Sequence, residues 1–367
     1  MIDFPASPVV GQTFSGGTGL LYMWDGVAWN VTSNLLLTAQ SRNLIVNPVM
    51  AITQENGTTA GTANAYYVAD QWRINFVAAG AAISANVSYT NINPSGGPGR
   101  ILYKTTTAKA SLAAGDYAAF YTVLEGSRVY PLFYSGNTPL QAVLRFGFNG
   151  PAGTYSVAIR NLTAYTVCWT GQFTISAAQA NTDTYQTLVI PSPPTGYVWA
   201  GGSSGQIEIW FTFACSGASL VAPANGWQAG SFISGPGQFN LLGTVNNQAQ
   251  IWDVGLYADP QKTGLPPPFQ VPDYGLDLFE CQRYYHTLDM FLINASYGNA
   301  SGQMLCSIPY APAMRAVPTV TYLSPSYSNS SNIRNNAVGA WNLRAEATQT
   351  AAGAAWANAT VVMNARP

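Results

Sequence analysis

Between Leu44 and Tyr257 apolar and polar residues alternate in short runs separated by Gly, Pro and Asn. The period-two pattern recurs in 71–77, 100–106, 117–124, 140–148, 154–161, 168–175, 185–190, 206–214, 239–242 and 250–257, the spacing of a half-buried strand. In 140–148 it sends Val143, Arg145 and Gly147 one way and Leu144, Phe146 and Phe148 the other; Ile207, Ile209, Phe211 and Phe213 form a second apolar row. About ten strands with turn residues between them predict two facing antiparallel sheets. The fold class is therefore all-β, with a central jelly-roll β-sandwich over 43–260.

Weaker patterns flank this region. Tyr22 to Trp29 reads as a β-hairpin turning at Asp25-Gly26, which puts Tyr22 and Trp24 on one face with Trp29 across the turn. A unit of residues 1–42 buries little by itself, and Asn34 to Gln40 reads as a linker or short helix. On the other side Pro266-Pro267-Pro268 and Pro272 mark 261–272 as an extended Pro-rich spacer. Tyr274 to Leu288 then reads as one helix covered on one side by Leu276, Phe279, Cys281, Tyr284 and Tyr285. Strands resume at 303–308, 319–323, 337–345 and 360–364, so 273–367 is expected to be a β-rich C-terminal domain with one short helix.

Composition changes this picture in one respect. Charged residues are 8% of the chain, against roughly 25% in ordinary soluble domains, so neutral polar groups must cover the surface. No apolar run approaches the length of a membrane span. The 14 Lys and Arg are scattered and the net charge is −1, which gives neither a nucleic-acid footprint nor much repulsion against self-association. The first residues show no basic stretch leading into an apolar segment and a small-residue cleavage site, and the expectation is a chain made in the cytoplasm and deployed elsewhere. Cys168, Cys215, Cys281 and Cys306 lack any CxxC spacing and read as free thiols.

Catalytic chemistry finds little support. Glycoside hydrolysis needs two carboxylates across a groove, and the acids of the sandwich, Asp70, Asp116, Glu125, Asp183, Glu208 and Asp253, read mainly as strand-end and loop caps. Asp70 beside Trp72 and Asp253 beside Trp252 are the pair to watch. His286 is the single histidine, expected on the helix, which leaves a serine nucleophile without a triad. No ligand cluster for a metal is visible and no cofactor is expected. Sugar binding asks for less: aromatic rings against apolar sugar faces and amides against hydroxyls. Tyr197 and Trp199, and Trp227 with Gln228, fall in Gly-rich stretches and are the glycan-binding candidates.

Two motifs carry a family resemblance. Phe279-Glu280-Cys281-Gln282-Arg283-Tyr284-Tyr285, followed by Met314-Arg315-Ala316-Val317-Pro318-Thr319-Val320, resembles the C-terminal domain of many bacteriophage tail-fibre and tail proteins. Pro8-Val9-Val10-Gly11-Gln12-Thr13-Phe14 with the Tyr22 to Trp29 hairpin is similar to an attachment module at the start of phage virion proteins. Asn47-Pro48, Asp70-Gln71-Trp72, Tyr121 to Gly126 and Val254-Gly255-Leu256-Tyr257 resemble carbohydrate-binding-module-like jelly rolls of the same proteins. The resemblance implies a virion structural protein, a tail-fibre subunit on an external appendage. It further implies a homotrimer, held to other virion proteins through Tyr22, Trp24 and Trp29 and contacting host surface polysaccharide. A head, collar or tail decoration protein and a polysaccharide depolymerase tailspike are the alternatives; the expectation is a protein that is not an enzyme.

Overall fold

The structure, a computed structural model, describes residues 4–15, 21–31, 42–89, 98–132, 139–162, 167–194, 201–298 and 302–367. A small N-terminal sheet comprises β1 (Thr13–Ser15), β2 (Leu21–Trp24) and β3 (Trp29–Val31). From there the chain runs through β4 (Tyr67–Ala69), β5 (Trp72–Val77), β6 (Ala82–Tyr89), β7 (Gly99–Thr107), β8 (Tyr117–Glu125) and β9 (Ala142–Asn149). It continues through β10 (Gly153–Asn161), β11 (Val167–Ile175), β12 (Thr184–Ile190), β13 (Gly205–Cys215), β14 (Gly226–Ala229) and β15 (Gln248–Ala258). Seven of these strands form one sheet in the order β14–β11–β10–β13–β8–β5–β4, and five form the other in the order β12–β9–β15–β7–β6. Every named pairing is antiparallel, and strands distant in sequence lie side by side, which makes this an all-β, jelly-roll-like sandwich.

The sandwich closes because the alternation delivers one apolar face per sheet. Leu144, Phe146 and Phe148 of β9 meet Ile207, Ile209, Phe211 and Phe213 of β13, all buried, with Phe146 and Phe211 ring centroids 5.1 Å apart. Each such side chain contributes roughly 1.5 to 3 kcal/mol on burial. The strand expected at 239–242 is instead a 3₁₀ turn, Leu241–Gly243. Asn240 donates to Lys109 O, and Leu241 and Leu242 plug the rim of the core. A strand outside the expected set is the eight-residue β6.

The C-terminal region holds α1 (Tyr274–Gln282), β16 (Tyr285–Gly298), β17 (Gln303–Pro309), β18 (Thr319–Ser328), β19 (Ser330–Val338), β20 (Asn342–Gln349) and β21 (Gly353–Asn364). The last six form two sheets, β16–β21–β18 and β17–β20–β19. Met290, Leu292, Met304, Leu343, Ala345, Ala357, Val361 and Met363 pack between them. The helix stops at Gln282 instead of Leu288, because Tyr285 already pairs with Asn364. His286 therefore lies on a strand, opposite Met363. The run 337–345 contains a turn between β19 and β20.

Helix α1 and the residues after it bury only part of the expected face. Asp273 caps its start, accepting from Leu276 N at 3.1 Å. Cys281 and the following Tyr284 are buried against Val46, Val49, Ala51 and Ile52 of the sandwich, while Leu276 is 69% and Phe279 49% exposed. The Pro-rich stretch carries neither helix nor strand. It lies along the five-stranded sheet, with Phe269 5.2 Å beneath the Arg145 guanidinium and Gly264 backed against Val189.

Candidate functional site

The outward face of the five-stranded sheet holds an ordered cluster of aromatic and charged side chains. Register aligns Tyr185 of β12 with Gly147 of β9, and Gly147 with Trp252 of β15. Because position 147 has no Cβ, the Trp252 indole lies flat across it; a Cβ built there would sit 2.1 Å from the ring. Arg100 of β7 stacks on Trp252 at 4.0 Å, and the Tyr185 ring meets it edge-on at 6.1 Å. Trp252 is thus only 7% exposed, while Tyr185 is 56% exposed.

Polar groups are fixed around these rings. Asp183 takes both Arg100 guanidinium nitrogens, at 2.8 and 2.6 Å, and Asn149 Nδ2 at 2.8 Å. The Arg100 bond is the main reason the Asp183 carboxyl is held below its ordinary value. A bulge in β15 between Trp252 and Gly255 places Asp253 at φ 49°, where it accepts from Tyr185 Oη at 2.8 Å. The Tyr185 hydroxyl is pushed up by burial and then by this carboxylate. Arg145 lies 4.6 Å over the Tyr185 ring. Beyond this row, Asn149 aligns with Gln250, Gln250 with Leu102, and Leu102 with Asn86; Lys104 and Gln248 follow in the next row. The face therefore offers one exposed aromatic ring beside an exposed carboxylate and a grid of amides and cations. Such a surface suits a hydroxyl-rich ligand.

The residues singled out from sequence are distributed differently. Tyr197 and Trp199 lie outside the described residues. Trp227 is on strand β14 instead of a loop, opposite Trp169. Its half-buried indole packs against the core, lines a small apolar cavity with Leu132, Leu140, Ile190 and Pro193, and donates to Pro191 O at 2.7 Å. Gln228 is tied to Ala224 O at 2.7 Å. Tyr22, Trp24 and Trp29 do come together: Phe4 stacks on Trp29 at 5.3 Å and meets Tyr22 edge-on at 4.9 Å, and Trp24 lies 5.7 Å from Trp29.

Asp70 and Asp253 form no pair. Asp70 is buried in the turn between β4 and β5 and bonds Gln54 N and Nε2, whereas Asp253 serves Tyr185 on the other sheet. Burial pushes the Asp70 carboxyl up, and burial lowers His286. Among the described residues no group of three His, Cys, Asp or Glu is placed to hold a metal ion, and no helix is long and apolar enough to cross a membrane. The cysteines are free.

No family model matches the chain, and no curated protein is detectably similar to it in sequence. Among solved structures it is similar to the enzymatically active domain of tailspike protein 4 of bacteriophage CBA120, with 14% identity and a TM-score of 0.28 over 53% of this chain. That alignment spans only 21% of the tailspike chain. A family 11 carbohydrate-binding module from Clostridium thermocellum aligns with 9% identity and a TM-score of 0.27, covering 54% of this chain and 95% of the module. Discoidin II of Dictyostelium discoideum gives 8% identity and a TM-score of 0.19 over 76% of this chain and 86% of its own. Scores this low transfer neither fold nor ligand, and the sandwich rests on the strand pairing of the chain itself.

Proposed function

We propose that this chain is a structural subunit of a phage virion appendage, a tail fibre, whose jelly roll contacts host-surface glycan without cleaving it. The observation that carries the glycan reading is the open cluster of Tyr185, Asp183, Asn149 and Gln250, held rigid from behind by Arg100, Trp252 and Gly147. Rigid placement lowers the ordering cost of binding. The Cys-Gln-Arg-Tyr-Tyr and Met-Arg-x-x-Pro-Thr-Val strings support the virion assignment. In the non-enzymatic reading the acids serve as caps and ion-pair partners. Three cations, Arg100, Arg145 and Lys104, against two carboxylates, Asp183 and Asp253, leave this face a surplus of one positive charge, so acidic surface polysaccharides are its expected ligands.

Self-association, as a homotrimer, belongs to the same proposal. It is supported by the exposed Leu276 and Phe279, one helical turn apart on α1. Three weak sites on one stem reach useful avidity. The aromatic cluster of Tyr22, Trp24 and Trp29 is the proposed attachment to the particle.

The test is an array of bacterial surface polysaccharides probed with the purified full chain and with Tyr185→Ala. Binding lost in the variant supports the reading. Absence of binding to every polysaccharide favours a decoration protein, and new reducing ends released from a bound polysaccharide favour a depolymerase.

A further inference from the structure

A second site lies on the outward face of β16–β21–β18, far along the chain from the jelly-roll cluster and built from none of its residues. Register sets three residues abreast in successive rows. Asp289, Thr360 and Leu323 form one row, Phe291, Asn358 and Ser326 the next. Between these rows β18 bulges, with Ser324 at φ 47°, and the bulge borders an open groove of about 370 Å³ lined by Asp289, Phe291, Ser324, Asn358 and Thr360. That volume is within the range of small-molecule sites, roughly 300 to 1,000 Å³.

The lining is chemically selective. Phe291 is 57% exposed and lies 6.0 Å from Trp356, nearly parallel to it, which fixes an apolar platform at one end. Thr360 Oγ1 donates to Asp289 Oδ1 at 2.8 Å, orienting the carboxylate, and Ser326 Oγ bonds Asn358 Oδ1. Asp289 Oδ2 and Asn358 Nδ2 then have no hydrogen-bond partner among the described residues, leaving one acceptor and one donor for a ligand. Among the described residues no cation lines the groove. A carboxylate without a nearby cation repels an anionic ligand and accepts readily from hydroxyls.

We propose that this groove binds a single neutral pyranose ring, its C–H face on Phe291 and two of its hydroxyls on Asp289 and Asn358. Its preference is opposite to that of the cationic jelly-roll face. The two sites fail independently: loss of Tyr185 leaves this one intact, and loss of Phe291 leaves the other.

Saturation-transfer NMR on the full chain with the methyl glycosides of neutral hexoses and N-acetylhexosamines, and with glucuronic acid as the acidic counterpart, tests it. At least one neutral glycoside binds in the millimolar range, and Phe291→Ala weakens it about tenfold or more. Tyr185→Ala leaves that affinity unchanged, and Asp289→Asn narrows the discrimination against glucuronic acid. Both substituted groove residues are exposed, so the variants fold, which circular dichroism checks. The proposal is overturned if no neutral glycoside binds, or if binding survives Phe291→Ala. It is also overturned if light scattering shows Phe291→Ala dissociating an oligomer, because a second copy then occupies this face.

Discussion

Asn47 donates its backbone N–H to Asp277 Oδ1 at 3.0 Å, joining the opening loop of the sandwich to a helix 230 residues later. The other carboxylate oxygen, Oδ2, is buried without a hydrogen-bond partner among the described residues. Burial pushes the Asp277 carboxyl up from 3.8 to about 6; Glu280 and Asp70 add to this, while the Asn47 bond and Arg128 oppose it. The folded chain thus holds a proton that the unfolded chain has already lost between about pH 4 and 6. Stability from this group is full below the unfolded value and falls as pH rises through that window, by on the order of 2 kcal/mol. Asp277→Asn keeps the bond from Asn47 and removes the charge. Urea unfolding at pH 4, 5, 6 and 7 is expected to show a flatter profile and higher neutral-pH stability for the variant. An unchanged slope would mean that Asp277 is not the group that titrates. Asp70, also raised by burial, leaves a residual slope of the same sign.

Asn47 itself is a hub. Its side chain donates to Ile52 O and Asp70 O and accepts from Ile52 N, while its carbonyl accepts from the Trp72 indole. It sits fully buried at φ 52°, a conformation that Asn tolerates better than other non-glycine residues. Asn47→Ala strands Ile52 N and Asp70 O, while Ile52 O keeps the Asp70 N–H, and a loss of about 2 to 4 kcal/mol is expected. Asn47→Asp, which keeps the acceptor but loses the donor and places a charge beside Asp70 and Asp277, is expected to be no better. Denaturant titration of both variants measures this; a loss under about 1 kcal/mol would remove the hub role.

On the sheet face, Gly147→Ala places a methyl group inside the Trp252 indole. The ring must lift, breaking the Arg100 stack and freeing Asp183. A destabilisation of about 1 to 3 kcal/mol is expected, with a red-shifted tryptophan emission as the indole meets water. The proposed polysaccharide binding through Tyr185 is expected to fall with it, and an unperturbed emission spectrum would contradict the flat packing described above.

Much of the sandwich was legible because its strands alternate cleanly. The inward set of β9 and the row from Ile207 to Phe213 follow directly from period two. Strand β6 was not, since Ala82, Ala85 and Ser84 carry little β preference and are placed by pairing with β7. Helix α1 was legible in place but only partly in face: its heptad-like apolar residues are split between Cys281, buried on the sandwich, and Leu276 and Phe279, left outside. The proposed binding face was legible only as isolated residues, such as Asp253 beside Trp252. Arg100, Gly147, Asp183, Tyr185 and Trp252 are scattered along the chain and meet only through the crossover order β12–β9–β15–β7, which local pattern does not encode. Trp227 stood out in sequence for its Gly neighbour, yet Gly226 marks a strand start at φ 113° and the ring turns inward.

Arg366 is an enclosed charge at the junction of the sandwich with the C-terminal sheets. Its side chain is 3% exposed, pairs with Glu55 at 2.6 Å, and lies 3.7 Å from the Tyr67 ring on β4 and 4.1 Å from the Tyr285 ring on β16. One guanidinium thus clamps an aromatic ring from each unit, a geometry that needs its planarity. Removing it leaves Glu55 unpaired and the two rings apart, a loss of about 2 to 4 kcal/mol concentrated at the junction. Arg283 with Glu125 and Arg128 with Glu280 remain, so the units stay attached but unfold less cooperatively. Calorimetry of Arg366→Ala is expected to split one endotherm into two, the earlier belonging to the C-terminal sheets. Arg366→Lys restores charge without the stack and is expected to recover less than half of the loss. A single unshifted endotherm in both variants would show that the joint does not depend on Arg366 and is held by the remaining ion pairs with Asn47, Cys281 and Tyr284.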